Sequence, residues 1–404
     1  MTKRVNLLDT REFIFLMAII MSVTALSIDA MLPALGQMSQ DLNVSNANDI
    51  QMVITAVFFG MSIGILLYGP YADAFGRKNA IYLGIGIFLV GTVISIYSTD
   101  LTVMLFGRAM QGFGSASCRV VSMAIIRDKY EGVEMAKIMS LIMMVFIMVP
   151  ALAPLLGQGI LLFATWQAIF WFIFFFALLG AIWMHFRQRE TLTPENTRPF
   201  SISSIISGSI ETVKNPVAMG YTAMTGILFG SFVAYLSSAQ QIMEIQYELG
   251  DMFATYFGIL AFAYGLSSYL NAKLLGKFDL HKICFFYLMF HMVISLTFYL
   301  ISLGLADNLP FNLFYIYMMA TFFCLGGLFG NFNSMALKPF GHMAGIATSV
   351  ISSIQTFLAV IVGGIIGQSY NGSVQPLILS FLISAMITLA IFISVRKKSK
   401  ASAK

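Results

Sequence analysis

Gly69-Pro70-Tyr71-Ala72-Asp73-Ala74-Phe75-Gly76-Arg77-Lys78 joins two long apolar runs through a short polar turn. Its glycines permit a tight helix-to-helix connection, and the Asp73 carboxylate can pair with a basic group or cap a neighbouring helix. An ion pair at such a joint can be made in one conformation and broken in another. Gly69, Asp73, Gly76 and Arg77 are therefore the expected conformational gate, with a plain solvated turn as the alternative reading.

The flanking runs belong to a chain that is apolar throughout. Of its 404 residues 58% are hydrophobic and 10% charged, against roughly 25% charged in soluble proteins. With 37 Phe, 27 Met and a mean hydropathy of +0.85, most side chains must face lipid or other helices, which excludes a soluble protein. A spanning helix needs about 20 mostly apolar residues. Twelve segments qualify: Phe13 to Gly36, Asp49 to Gly69, Ala80 to Ser98, Leu101 to Ile126, Ala136 to Gln158, Trp166 to Phe186, Val217 to Met243, Met252 to Ala272, Ile283 to Gly304, Phe311 to Met335, Met343 to Gly367 and Val374 to Val395. The first carries Asp29 and ends without a convincing cleavage site, so it is expected to persist in the mature protein. An even number of spans puts both termini on one side.

That side is set by the cations. With the N-terminus inside, 21 of the 23 Lys and Arg fall in cytoplasmic segments, from Lys3, Arg4 and Arg11 through Arg77 and Lys78 to the tail Arg396 to Lys404. None falls in an outer loop, which is the positive-inside pattern. The net charge of +5 is then a signal of topology and of contact with anionic lipid, and nucleic acid is not an expected partner. The longest polar stretch, Arg187 to Asn215, lies between spans six and seven and reads as a linker. The expected organisation is a six-helix bundle over 1–186, a cytoplasmic linker over 187–215 and a second six-helix bundle over 216–404, the plan of transporters built from two halves. Small residues four apart, such as Gly60 and Gly64 or Gly226 and Gly230, favour close helix packing.

Chemistry is sparse. Cys118, Cys284 and Cys324 form no ligand spacing, so neither a disulfide framework nor a metal site is expected. The four histidines are dispersed and the spans hold no paired carboxylates, which argues against a membrane enzyme. Inside the spans, Asp29 is the one acid. A carboxylate there is costly unless it is paired, hydrated or protonated. Balanced between desolvation and a cationic neighbour, it can load and release a proton. Arg108 sits at a matching depth, seven residues from the outer end of its span, with Gln111 one turn on; bracing of backbone carbonyls is the other role open to this arginine. Arg119, eleven residues further, returns to within about 20° of the same face. It either meets an anionic substrate group in the cavity or snorkels to the headgroups. Gln111, Gln240, Gln241 and Gln355 are further substrate-binding candidates, with interhelical hydrogen bonding as the alternative for the last three, and His291 reads as a packed histidine. Pro150, Pro154 and Gly157 predict a kink in span five.

Taken together, the Gly69 to Lys78 loop, the Arg108-Ala-Met-Gln111-Gly112-Phe-Gly114 run and the twelve spans resemble the major facilitator superfamily. Asp29-Ala-Met-Leu-Pro-Ala-Leu, Ala124-Ile-Ile-Arg127-Asp128, Ala151-Leu-Ala-Pro154-Leu-Leu-Gly157, Trp166-Gln-Ala-Ile-Phe170-Trp171 and Asn333-Ser-Met-Ala336 resemble its bicyclomycin/chloramphenicol-resistance (Bcr/CflA-like) drug:proton antiporter branch. The resemblance implies an all-α integral membrane fold of twelve transmembrane helices with inside termini. It also implies proton-driven efflux of a small molecule across a bacterial inner membrane by alternating access, with Asp29 as proton site and Arg108 as coupling residue. Arg119 departs from the branch, where a small or polar residue is expected, and Gly157-Gln158-Gly159 interrupts an expected Gly-Gly pair.

The expected function is thus a secondary transporter, not an enzyme, that exchanges protons for amphipathic compounds or drugs. It is expected to be monomeric and to need no cofactor beyond the proton gradient. The alternatives are a dedicated exporter of an anionic metabolite such as a polycarboxylate siderophore, motivated by Arg119, and a facilitator without proton coupling.

Overall fold

A computed structural model describes residues 9–197, 199–275, 277–305 and 309–402. Lys3, Arg4, Arg198 and Lys404 lie outside these residues, as do the side chains of Lys398 and Lys400. The regular structure that is described is helical. α1 (Thr10–Asp29) and the short α2 (Leu35–Asp41) are followed by α3 (Met52–Phe75), α4 (Arg77–Ile96), α5 (Leu101–Lys129), α6 (Gly132–Leu161) and α7 (Trp166–Arg187). After α8 (Ile202–Lys214) come α9 (Pro216–Gln240), α10 (Phe253–Leu274), α11 (Leu280–Gly304), α12 (Phe311–Leu337), α13 (Ala344–Gln368) and α14 (Gln375–Ser402).

Among the described residues, eleven helical stretches are long and apolar enough to cross a membrane. α5 is long enough at 29 residues but is not among them, because it carries Arg108 and Arg119 amid Gly, Ser and Gln. It nevertheless lies inside the bundle, packed on α3, α4 and α1. The helix is polar because it is surrounded by protein and its groups are satisfied there.

The first span is not one helix. α1 stops at Asp29, and a turn and a short 3-10 segment (Leu32–Ala34) precede α2. Pro33, four residues beyond Asp29, has no N–H to offer the Asp29 carbonyl, so the helical ladder cannot continue there. α6, in contrast, remains helical through both Pro150 and Pro154. Its Gly157 abuts the broken segment: a Cβ there would fall inside contact distance of the Ala30 carbonyl oxygen and 3.3 Å from the Pro33 ring.

The two halves are built alike. In the first, α5 packs on α3 and α4, and α1 on α5, α6 and α7. In the second, α9 packs on α12, α13 and α14, and α12 on α10 and α11. Small residues make the tight crossings: Gly60 lies on the Ala109 carbonyl and Gly112 on that of Val57, while Gly226 and Gly230 lie on Leu358 and Val362. Between halves, α3 packs on α13 and α6 on α10. The connecting segment holds a helix that composition alone left as linker. α8 seats Gly208 against Ile346 of α13 and exposes a stripe of Ile202, Ile206, Ile210 and Val213.

Candidate functional site

The turn after α3 is the hub of a charge cluster. Arg77 pairs with Asp73 one turn back, and its Nε donates to Asp128 Oδ2 at 2.9 Å, in the last turn of α5. The same Asp128 oxygen accepts the Thr191 hydroxyl at 3.0 Å. Sequence reading gave no role to Glu190, yet its carboxylate accepts the backbone N–H groups of Arg77 and Lys78, each at 3.0 Å. An anion on the free N–H groups of a helix start is worth about 0.3–1 kcal/mol when exposed. Gly76 makes room for it. Its φ of +101° is one that side-chain-bearing residues rarely adopt. A Cβ there would also stand 2.8 Å from Glu190 Oε2. Gly69 faces the other half, with Ser349 Oγ of α13 only 2.9 Å from where its Cβ would be. Asp73, Gly76 and Arg77 are therefore brought together with Asp128, Glu190 and Thr191 at the end of the bundle that carries the basic loops, whereas Gly69, two turns back from Gly76, faces α13.

The opposite end is closed by amides. Asn48 Nδ2 donates to the carbonyls of Gln368 at 3.2 Å and Tyr370 at 2.8 Å, and Gln368 Nε2 returns a bond to the Asn48 carbonyl at 3.2 Å. Gln241 Nε2 donates to the Ala47 carbonyl at 2.7 Å, while its Oε1 accepts from Gln51 Nε2. Gln240 lies beside Gly36 and donates to Glu244 Oε2 at 2.8 Å. Gln241 begins a π-helical segment, Gln241–Gln246, which continues α9. Burial pushes the Tyr370 hydroxyl's pKa up, so it stays a donor, to the Gln241 carbonyl at 3.3 Å. Of the two amides expected as substrate ligands, Gln241 thus bonds the second half to the first, while Gln240 bonds within its own half and packs beside Gly36 of the first. Gln355 donates to Asn333 Oδ1 at 2.8 Å, a bond between α13 and α12. His291 is fully buried against Phe381, and neither ring nitrogen has a partner among the described residues.

In the first half's core lies the pair sought from matched depth. Arg108 is fully buried, and its guanidinium fork serves three acceptors: the Val53 carbonyl at 3.2 Å, the Ser27 carbonyl at 2.7 Å and Gln111 Oε1 at 2.6 Å. Gln111 passes the chain on to Thr92 Oγ1 at 2.7 Å, and the Phe170 ring lies 5.6 Å from the guanidinium. Asp29 is 6% exposed and makes no hydrogen bond or ion pair among the described residues. In this conformation Arg108 thus bonds the carbonyl two residues before Asp29 and not its carboxylate. The fork is thus filled by one carbonyl of α1, one of α3 and an amide, and Asp29 is left unpaired two residues beyond the Ser27 carbonyl.

Arg119 behaves differently although it shares the stripe. It is the one exposed residue of α5 between Gly107 and Ile126. Tyr264 of α10, in the other half, lies within electrostatic range of it. Exposed and in range of the other half, Arg119 opens toward the space between halves. Among the described residues it has no acidic partner and no hydrogen bond, and no group of three His, Cys, Asp or Glu could hold a metal.

Two pseudo-equivalent helical halves, a charged joint at one end and a polar lock at the other define a polytopic membrane transporter. The chain belongs to the Major Facilitator Superfamily, whose family model matches residues 17–364. Among curated proteins it is 29% identical over 388 residues to the uncharacterized MFS-type transporter YdgK of Bacillus subtilis, covering 94% of each. It is 27% identical to a bicyclomycin resistance protein homolog of Haemophilus influenzae, covering 95% of each. To the multidrug resistance protein MdtL of Escherichia coli it is 29% identical over 89% of this chain and 90% of that one. Among solved structures, the human organic anion transporter MFSD10 superposes with a TM-score of 0.68 at 12% identity, covering 96% of this chain and 100% of that one. That likeness is one of fold. The protein is a multi-pass membrane transporter of this superfamily, not an enzyme, and it handles small molecules.

Proposed function

We propose that this transporter exports small amphipathic compounds in exchange for protons, by alternating access across a bacterial inner membrane, with its basic loops and both termini in the cytoplasm. The observation that carries the reading is Asp29: an acid 6% exposed, at a helix break, with no charged partner among the described residues. An isolated carboxylate is expensive in that setting, so the group is held neutral by a proton or reached by water. Arg108 provides the coupling. When Asp29 loses its proton, the guanidinium on the Ser27 carbonyl gains a stronger acceptor close by, and exchanging one for the other changes how α1 sits on α5.

The remainder is mechanical. Opening the amide-closed end requires the bonds joining Asn48 and Gln51 to Gln241, Gln368 and Tyr370 to part. Opening the other end separates Gly69 of α3 from Ser349 of α13, while the Arg77 cluster keeps α3, α4 and α5 together as a rigid body. Binding of either ligand favours one closure over the other only by the difference in its affinity for the two states. In proteoliposomes, Asp29→Asn is expected to remove drug efflux driven by a pH gradient while leaving the protein folded. Undiminished gradient-driven efflux by that variant would sink the proton assignment.

A further inference from the structure

Arg119 differs from the other arginines buried in or beside the spans of the first half. Arg108 is spoken for by three acceptors and Arg77 by two carboxylates, but Arg119 reaches the space between halves with neither. It stands ten residues, or roughly 15 Å, inside the basic end of α5. Holding a guanidinium unpaired at that depth is costly unless water or a ligand completes it, and intramembrane charges without structural partners mark substrate paths.

What lies around it is aromatic. Tyr264 opposite Arg119 has its ring 6.1 Å from Phe329 of α12. Phe329 meets Phe229 of α9 edge-on at 5.9 Å, and Phe229 meets Phe58 of α3 edge-on at 5.5 Å, which brings the run back to the first half. Tyr264, Phe329 and Phe229 are each only partly buried, so each ring in this run keeps part of its surface uncovered. The wall has a cationic end and an apolar length, and the partly buried Val120 and Met123 flank the cation on α5.

We propose that the transported compound is an amphipathic organic anion, its carboxylate received by the Arg119 guanidinium beside Tyr264 and its apolar body laid along Phe329 and Phe229. This deepens the export reading above and depends on it only for direction. Arg119 selects charge, by a planar fork that matches two carboxylate oxygens. The aromatic wall tolerates many shapes, because offset and edge-on ring contacts are forgiving of outline.

The test is equilibrium dialysis of the purified full-length protein with tritiated 1-naphthylacetate and with its neutral isostere 1-naphthylacetamide. Wild type is expected to bind the acid about ten-fold or more tightly than the amide, the scale of one charge-assisted pair. Arg119→Gln is expected to abolish that preference while holding the amide within about two-fold. Arg119→Lys should retain part of the preference, and Tyr264→Phe should weaken the acid alone. Equal binding of acid and amide by wild type, binding of neither, or a preference that survives Arg119→Gln overturns the assignment. None of these results touches the proton reading, which Asp29→Asn tests through gradient-driven flux. Thermal unfolding of each variant confirms that it is folded before its affinity is compared.

Discussion

Adding one methyl group to α6 tests how the break at Asp29 is held. In Gly157→Ala the new Cβ would fall far inside contact distance of the Ala30 carbonyl oxygen and 3.3 Å from the Pro33 ring. Carbon–oxygen contact needs well over 3 Å, so α6 and the broken segment would have to separate by more than about 1 Å. Both partners are backbone, and neither can rotate away. Overpacking of this kind costs roughly 1–3 kcal/mol, offset by at most about 1 kcal/mol from the helix propensity that alanine gains over glycine. Gly159→Ala is the control: two residues on in the same helix, its Cβ meets nothing within 4 Å, so only the propensity gain applies. Cys118, Cys284 and Cys324 are all buried and free, and unfolding in detergent can be followed by a thiol-reactive dye. Gly157→Ala should unfold several degrees below wild type, and Gly159→Ala at or above it. Equal midpoints for the two variants would show that α6 does not bear on the break as described.

Arg108→Lys keeps the charge but gives up the fork that reaches Val53, Ser27 and Gln111, and should lower stability by about 1–3 kcal/mol, read by the same dye. Gln241→Ala removes the bonds to Ala47 and Gln51 from the polar lock. It should raise labelling of a Gly36→Cys reporter by an impermeant maleimide added from the side opposite the basic loops; unchanged labelling would mean that the lock does not close that end. Glu190→Gln weakens the cap on α4 by about 1 kcal/mol and should matter less at high salt, because the capping carboxylate is exposed.

Much of the molecule is legible in the sequence because lipid imposes two strong rules. Spanning helices must be long and apolar, and cations must gather on one side, so the spans could be laid out from Phe13 to Val395 with ends within about seven residues of the observed helices, although the break in the first was not foreseen. The polar exceptions Asp29, Arg108 and Arg119 also stood out, since a charge inside a span is rare enough to be noticed one residue at a time. What each of the three touches was not legible. Arg108 and Asp29 lie at equal depth, yet the guanidinium takes the Ser27 carbonyl, because Pro33 breaks α1 and that distortion is a property of the folded chain. Glu190 gave no signal at all: a single acid in a polar linker becomes a helix cap only when α7 ends beside the start of α4.

The same division holds for the amides and for Arg119. Composition shows that Gln240, Gln241 and Gln355 are unusual in apolar helices, and an amide serves a substrate and a neighbouring helix equally well. Only the approach of α3 and α13 to the end of α9 commits Gln241 to Ala47, Asn48 and Gln51. Arg108 and Arg119 share one helical stripe, which periodicity alone determines, but one is sealed among carbonyls and the other opens opposite Tyr264. Periodicity fixes direction around a helix axis. What stands in that direction is fixed by the packing of other helices, which come from its own half for Arg108 and from the far half for Arg119.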